Sequence, residues 1–430
     1  MTPRMKSVVR FSGFFIGALV AASASSQAQL YFSQEERSSV IEFWSNPERY
    51  ATAPLADSAS KGSWRVRLTT EGSKWLLDYT RLLQPAKVSP SQDAKPVTAN
   101  QQYWESWLAR KVAWDNWKAA QDAFEKNVSE GASAPDRPSP EPSKPGSMPA
   151  DLAQRLPQPP SFASAVQPFQ HRISFGDGTV LNYQDNVAMR QRFAYYRFAE
   201  GVQSFGQRVR EMDPQELRSM AREAGISDSD LKVLNSVSLL EGGFDSLNTY
   251  DTGYVSVGMI QFAALQGGAG SLGQVMLRMK QRSPEAFNTH FRKYGLEVTP
   301  KGELAALCPT SGAEFIGAQA AQKIIADKRL ASVFQRAGRL SREFRVAQLM
   351  AAKDLYHPSG DVIKVRGGGR EWNIPVAQVF KSEAGIATLM DRKVNTGKLG
   401  SLDQIAGDLA ARARLQRPED LALLEYDLVM

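Results

Sequence analysis

The sequence predicts a mainly α-helical protein that carries short β-hairpins and begins with a small helix-rich N-terminal region. Apolar side chains recur at three- and four-residue spacing through much of the chain, which is the periodicity of helices that bury one face. Two extended segments, 171–185 and 361–374, are each split by glycines and are typical of β-hairpins. A proline-rich stretch between them and the N-terminal region indicates a boundary between two parts of the chain.

Residues 1–28 have the three parts of a secretory signal peptide. Basic residues come first, an apolar run covers 11–22, and small residues at 26–28 offer a cleavage site. The apolar run is too short to span a bilayer comfortably, although a retained anchor is the alternative. No later stretch is apolar enough to span a membrane. The sequence therefore predicts a mature protein that is soluble and works in the periplasm or outside the cell.

The charge of the chain indicates what kind of partner it meets. The formal net charge is +7, and it falls to +4 on removal of residues 1–28, which contain three basic and no acidic residues. A mildly basic protein suits an anionic cell wall or membrane surface. Nucleic acid is not indicated, because no dense tract of lysine and arginine occurs.

Cysteine and histidine usage argues against disulfides and metal sites. Cys308 is the single cysteine, so no intrachain disulfide can form. The three histidines, at 171, 290 and 357, include no close pair at ligand spacing. We predict no metal and no cofactor.

The N-terminal module, residues 29–133, is rich in tryptophan. Residues 64–68 alternate as a short strand, a helix begins near residue 70, and a second helix covers 101–127. In the second helix, one arc of about 140° contains four indoles; these are Trp104, Trp107, Trp114 and Trp117. The stripe either packs this helix against its neighbours or offers aromatic faces to a glycan. The packing interpretation is favoured, because buried aromatic rings contribute strongly to the stability of a core.

Composition changes sharply in residues 134–162. Nine of the 23 prolines of the chain fall between 134 and 160. Such a stretch is expected to bury too little apolar surface to fold and to form an extended, semi-stiff linker. It separates the N-terminal module from a second domain, residues 163–430.

The second domain begins with the first predicted hairpin and continues as helices. A helix is predicted over about 186–212, where aromatic residues are crowded. The next helix has a well-formed start signal, because Asp213 is a good N-cap, Pro214 suits the first helical position and Glu216 the third. Residues 312–356 are predicted to be mostly helical.

One helix is predicted over 227–240, and an acidic residue, Glu241, follows directly at its end. Ser227 is a good N-cap, and Gly242 is suited to end the helix. Glu241 lies seven residues after Leu234 and four after Val237, so it projects from the apolar face. A carboxyl at the inner end of a buried helix loses hydration, which raises its pKa toward that of a general acid.

Further acidic residues follow at a turn. Asp251 could face Glu241 across a cleft, with Asp245 as the fallback, in the two-carboxylate arrangement of glycoside hydrolysis. The alternative is a buried glutamate that caps a loop, with acidic turn residues hydrated at the surface. Spacing alone favours this alternative.

Two motifs resemble those of known families. EGGFD (241–245) and SVGMIQ (256–261) resemble the E-S-x-F-N and G-L-M-Q motifs of goose-type lysozymes and lytic transglycosylases. MDRKVNTG (390–397) resembles the D-x-x-V-N-x-G helix end of several lysozyme-like and chitosanase-like glycosidases. The resemblance covers about residues 220–400. Val255 stands where the family prefers glycine, and no A-Y-N-A-G segment follows residue 262.

The resemblance implies a secreted glycoside hydrolase of lysozyme-like fold that cleaves β-1,4 bonds of an amino-sugar polymer, first of all peptidoglycan. It places Glu241 on the catalytic acid, while Asp251, or Asp245 in its stead, would position water or stabilise the oxocarbenium-like transition state. The candidate sugar contacts are Asn248, Tyr250, Ser256, Gln261, Asp391 and Asn395. The alternatives are a lytic transglycosylase, a chitosanase or chitinase, and a non-catalytic wall-binding or scaffold protein.

Overall fold

A computed structural model describes residues 30–55, 63–83, 98–132, 137–187, 197–367 and 370–429. The predicted signal peptide lies outside these residues. The α-helices are α1 Gln34–Ser45, α2 Thr70–Leu83, α3 Ala99–Ser129, α4 Ala150–Ala153, α5 Pro214–Glu223, α6 Asp228–Glu241, α7 Ser271–Arg282, α8 Pro284–His290, α9 Ala318–Ala326, α10 Lys328–Leu340, α11 Arg342–Tyr356, α12 Val376–Val379, α13 Glu383–Thr396, α14 Leu402–Arg412 and α15 Glu425–Val429. The fold is mainly α with short β-hairpins, which confirms the predicted class.

The strands are short and pair antiparallel. They are β1 Tyr50–Pro54, β2 Arg65–Leu68, β3 Ala163–Val166, β4 Phe169–Ser174, β5 Val180–Gln184, β6 Gln203–Ser204, β7 Leu247–Asn248, β8 Ser256–Val257, β9 Phe262–Ala263, β10 Leu296–Val298, β11 Leu304–Leu307, β12 Glu314–Ile316, β13 Val362–Gly367 and β14 Arg370–Pro375. They form sheets of order β1-β4-β5, β2-β3, β6-β7-β8-β9, β10-β11-β12 and β13-β14. Both predicted hairpins are confirmed, as β4-β5 and β13-β14.

Three clusters of buried side chains hold these elements together. The largest includes the inner faces of α6, α7, α10 and α11 together with β10 and β11. A second, C-terminal cluster is built from β13, β14, α12, α14 and their neighbours. Helix α13 joins the two, because Met390 belongs to the largest cluster and the adjacent Leu389 to the C-terminal one.

The first part of the predicted N-terminal module packs into the largest cluster. Val40 and Trp44 of α1 are buried there, and the Trp44 indole Nε1 donates a hydrogen bond to the Tyr294 carbonyl at 3.2 Å. Strand β1 pairs with β4 along its whole length. Residues 30–55 therefore share their core with the second predicted domain, which helix periodicity alone does not reveal.

The tryptophan stripe of α3 is largely a packing surface. Trp104 and Trp107 are buried in the third cluster, together with Trp75 and Tyr79 of α2. Trp114 and Trp117 are half-buried, with ring centroids 5.3 Å apart. The packing interpretation is confirmed for the first pair.

The proline-rich segment lies antiparallel along α3 instead of forming a free linker. The indole Nε1 of Trp117 donates to the Ser139 carbonyl at 2.9 Å, and that of Trp107 donates to the Gly146 carbonyl at 3.5 Å. Leu152 of α4 is fully buried in the third cluster. The expectation that this stretch buries too little apolar surface to pack was wrong for the described residues from 137 onward. Extended proline-rich backbone leaves its carbonyls free for donors, and the indole N–H groups supply them.

The helix predicted over 186–212 was wrong for residues 186–187 and 197–208, whereas 209–211 form one turn of 3-10 helix. Residues 188–196 lie outside the described ranges, and 197–208 contain no α-helix but the strand β6. Two glycines explain the irregular backbone. Gly206 has φ of +64°, and a Cβ on Gly201 would lie 2.4 Å from the Tyr250 Cα.

Within the described part of the chain, no helix is both long and apolar enough to cross a membrane.

Candidate active site

Glu241 is the last residue of helix α6 and lies near the edge of the β6-β7-β8-β9 sheet. The Ser227 hydroxyl accepts from the Asp230 backbone N–H at 3.1 Å, as expected of the N-cap. The helix ends at Gly242, whose φ of +130° lies in a region that side chains rarely adopt. The next N–H, of Gly243, donates to the Phe205 carbonyl at 3.1 Å beside β6. The predicted helix and its ends are confirmed.

The surroundings of the Glu241 carboxyl favour its protonated form. It is half-buried, and it makes no hydrogen bond or ion pair with any residue that the structure describes. Burial raises the pKa of Glu241, and the nearby charges of Asp391 and then Asp251 raise it further. The structure thus brings together three of the predicted site carboxyls, although Asp391 lies 150 residues further along the chain.

Asp251 is held firmly in the turn after β7. Its Oδ2 accepts from the Asn248 side chain at 2.7 Å, and its Oδ1 accepts from the Gly253 backbone N–H at 2.8 Å. Burial raises the pKa of Asp251, while these two hydrogen bonds lower it. The predicted turn is confirmed. Both carboxylate oxygens of Asp251 are already engaged, as is the Asn248 amide.

Asp391 lies on α13, next to the face that packs on the largest cluster. Ala387, Met390 and Val394 contribute to that face. The Asp391 side chain is half-buried and has no hydrogen-bond partner among the described residues. One turn later, the exposed Asn395 side chain donates to the Asp391 backbone carbonyl at 3.0 Å. The Asn395 amide is thus used in a local hydrogen bond near the end of its own helix.

Asp245 has a different environment from the other carboxyls. It is buried, its Oδ2 forms an ion pair with Arg339 Nε of α10 at 3.1 Å, and its Oδ1 accepts from the Gln207 backbone N–H at 2.8 Å. It is not among the groups that shift the pKa of Glu241. Because Asp245 is paired with Arg339, it is less suited than Asp251 to act as the second carboxyl of the site.

Gln261 supports the glycine turn behind Glu241. Its Nε2 donates to the Ser246 hydroxyl at 2.6 Å and to the Gly258 carbonyl at 3.2 Å, and its own φ is +54°. Ser246 in turn lies against Gly242, where an added Cβ would come within 2.7 Å of the serine Cβ. Ser246 was not predicted to support the site, although it follows directly after the first motif, EGGFD (241–245).

Tyr250 and Ser256 are buried beside Asp251. Tyr250 is 8% exposed, and burial together with the Asp251 charge raises its pKa to about 12. Its carbonyl accepts from the Arg197 and Phe198 backbone N–H groups. Ser256 is 5% exposed and pairs with Asn248 in the β7-β8 ladder. These two side chains offer little surface to a polymer and support the loop that holds Asp251.

Two surface grooves lie elsewhere. One is lined by residues of strands β1, β4 and β5, and the other lies between α5 and the start of α6; neither is lined by Glu241. Among the described residues, no group of three or more potential ligands could hold a metal ion.

Comparison with known proteins found no matching family model, no similar curated protein and no similar solved structure.

Proposed function

We propose that this protein is a secreted glycoside hydrolase of lysozyme-like fold that cleaves β-1,4 bonds of an amino-sugar polymer, with peptidoglycan as its substrate. Glu241 would be the general acid that protonates the glycosidic oxygen. The observation that supports the proposal most directly is the environment of the Glu241 side chain. It ends a buried helix, has no hydrogen-bond partner among the described residues, and lies within electrostatic range of two further carboxyls.

The raised pKa of Glu241 suits this role for a simple reason. A glutamate of ordinary pKa, about 4.3, is almost fully ionised near neutral pH and has no proton to give. Burial and neighbouring negative charge both favour the protonated form of Glu241. Glycosidases use one such carboxylic acid to protonate the leaving oxygen.

Asp251 supports the reaction through its charge. Its oxygens are held by Asn248 and Gly253, so its position is fixed close to Glu241. A fixed negative charge stabilises positive charge that develops on the sugar ring. We therefore assign Asp251 the electrostatic role.

The location of the protein is part of the proposal. The signal-like segment 1–28 and the charge of +4 on the remaining chain favour a secreted or periplasmic protein that meets an anionic wall. A polysaccharide is the partner that this combination favours.

The test is mass spectrometry of fragments released from purified peptidoglycan. The mature wild type, Glu241→Gln and Glu285→Gln would be compared; Glu285 is exposed on α8 and serves as the matched control. Wild type and Glu285→Gln are expected to release muropeptides with reducing ends. Glu241→Gln, which cannot donate a proton, is expected to release none while it keeps a wild-type circular dichroism spectrum.

Other outcomes separate the alternatives. Anhydro-sugar ends would identify a lytic transglycosylase, in which one glutamate acts as acid and then as base. Cleavage of chitosan or chitin alone would change the substrate. A fully active Glu241→Gln would refute the mechanism, and binding to insoluble peptidoglycan without any release would indicate a wall-binding protein.

A further inference from the structure

Helices α6 and α13 lie side by side with their N-termini together. The Glu383 carboxylate, in the first turn of α13, accepts hydrogen bonds at 3.0 Å from the Ser229 hydroxyl and from Lys232 Nζ of α6. A helix rises 1.5 Å per residue, so Asp391 lies about 12 Å along α13 from Glu383 and Glu241 about 13.5 Å along α6 from Lys232. The two carboxyls are therefore level with each other along a parallel pair, at the last residue of α6 and at the ninth of the 14 residues of α13.

The charges in the site agree with this geometry. Asp391 raises the pKa of Glu241 more than Asp251 does, so Asp391 is the stronger of the two electrostatic neighbours. No hydrogen bond joins the side chains of Glu241 and Asp391 in the described structure. They are close enough to interact and too far apart to share a proton directly.

Asp391 differs from the other carboxyls in what its oxygens contact. Asp251 uses both oxygens to hold its own turn, and Asp245 is paired with Arg339. The Asp391 carboxyl is half-buried, with no side-chain partner among the described residues. A general base needs a carboxylate oxygen that can accept a proton from water, and Asp391 meets this requirement.

We propose that Asp391 is the general base of the reaction and activates the water that attacks the anomeric carbon. This assignment rests on the proposed function. The water oxygen forms a bond to the anomeric carbon while Asp391 takes the water proton. The bond from that carbon to the glycosidic oxygen breaks, its electron pair stays on the oxygen, and Glu241 supplies the proton to that oxygen. One water is consumed, and solvent returns both carboxyls to their starting states.

A stereochemical consequence follows. Water attacks from the face opposite the leaving group when one carboxyl is the acid and a separate carboxyl is the base. A β-linked polymer should therefore yield a product that is first released as the α-anomer. This outcome can be read by NMR on the wild-type protein, without any substitution.

The substitution test uses Asp391→Asn in the mature full-length chain, with Asp408→Asn of α14 as the matched control. Loss of a general base is expected to lower kcat about 100- to 10,000-fold, whereas Asp408→Asn should match wild type. Azide, a nucleophile that needs no base, should restore cleavage by Asp391→Asn and yield an α-glycosyl azide. The residual activity of Asp391→Asn should also lose its high-pH side at a lower pH, because Glu241 then ionises more easily.

The possible results distinguish a wrong assignment of Asp391 from a wrong proposed function. Retention of configuration in the wild type, or full activity of Asp391→Asn with an unchanged pH profile, would overturn the assignment of Asp391 and leave Glu241 as the acid. If wild type cleaves no glycan, the proposed function itself fails. If Asp391→Asn does not fold, as judged by circular dichroism, the anomeric configuration of the wild-type product decides the matter.

Discussion

Glu241 keeps its carboxyl half-buried without a compensating hydrogen bond from any described residue, which is costly for a charged group. Structural glutamates in such positions usually have a donor. A site that needs a protonated acid gains from the arrangement, because the same burial that costs stability raises the pKa.

This cost predicts how Glu241→Gln changes stability with pH. The pKa of Glu241 is higher in the folded state than in the unfolded state, so ionisation destabilises the fold. The penalty is absent below the unfolded-state pKa, grows as pH rises toward the folded-state pKa, and is complete above it. We expect Glu241→Gln to melt at or above the wild-type temperature near pH 8, with the difference shrinking toward pH 3. Thermal denaturation followed by circular dichroism measures this, and a variant less stable than wild type at pH 8 would contradict the raised pKa.

At the scale of elements, local signals predicted helices well. The predicted N-caps Ser227 and Asp213 lie where the helices α6 and α5 begin, and α6 ends at Gly242 as predicted. Capping depends on a few adjacent residues, so a sequence displays it directly. Strands β10, β11 and β12 were missed, because each is three or four residues long and depends on its partners.

The proline-rich segment shows the limit of composition as evidence. Prolines and few apolar residues predicted a linker, yet Leu152 is fully buried and indole N–H groups bind the segment carbonyls. Contacts from α2 and α3 supply the surface that the segment lacks by itself.

Leu152→Ala tests this packing. Loss of a fully buried leucine side chain should cost about 2–5 kcal/mol in the cluster formed with α2 and α3. The segment 137–157 should then become sensitive to protease, as limited proteolysis and mass spectrometry would show. Leu423→Ala is the control, since Leu423 is 82% exposed. Unchanged proteolysis in Leu152→Ala would indicate a segment that does not depend on this contact.

At the scale of the whole molecule, the candidate site lies where two buried clusters meet. Glu241 and Asp251 belong to elements of the largest cluster, and Asp391 comes from α13, which also packs against the C-terminal cluster. The separation of these carboxyls is therefore set by how α13 packs, and small displacements of catalytic groups cost much activity.

Met390→Ala and Leu421→Ala separate positioning from stability. Both side chains are fully buried, so each substitution should cost about 2–5 kcal/mol in urea denaturation. Met390 anchors α13 to the largest cluster beside Asp391, whereas Leu421 lies within the C-terminal cluster. Activity per folded molecule should fall about tenfold or more for Met390→Ala and stay near wild type for Leu421→Ala. Equal activity in both variants would show that the packing of α13 does not set the site.

The sequence by itself determined the mainly helical class, the hairpins, the start of α5, both ends of α6, and the place of Glu241 at the end of a buried helix. These features depend on periodicity and capping, which act within a few residues. Only the tertiary structure decided that Asp391 lies level with Glu241, that Asp245 is paired with Arg339, and that the proline-rich segment lies along α3. Those relations join residues far apart in the chain, and packing of whole elements fixes them.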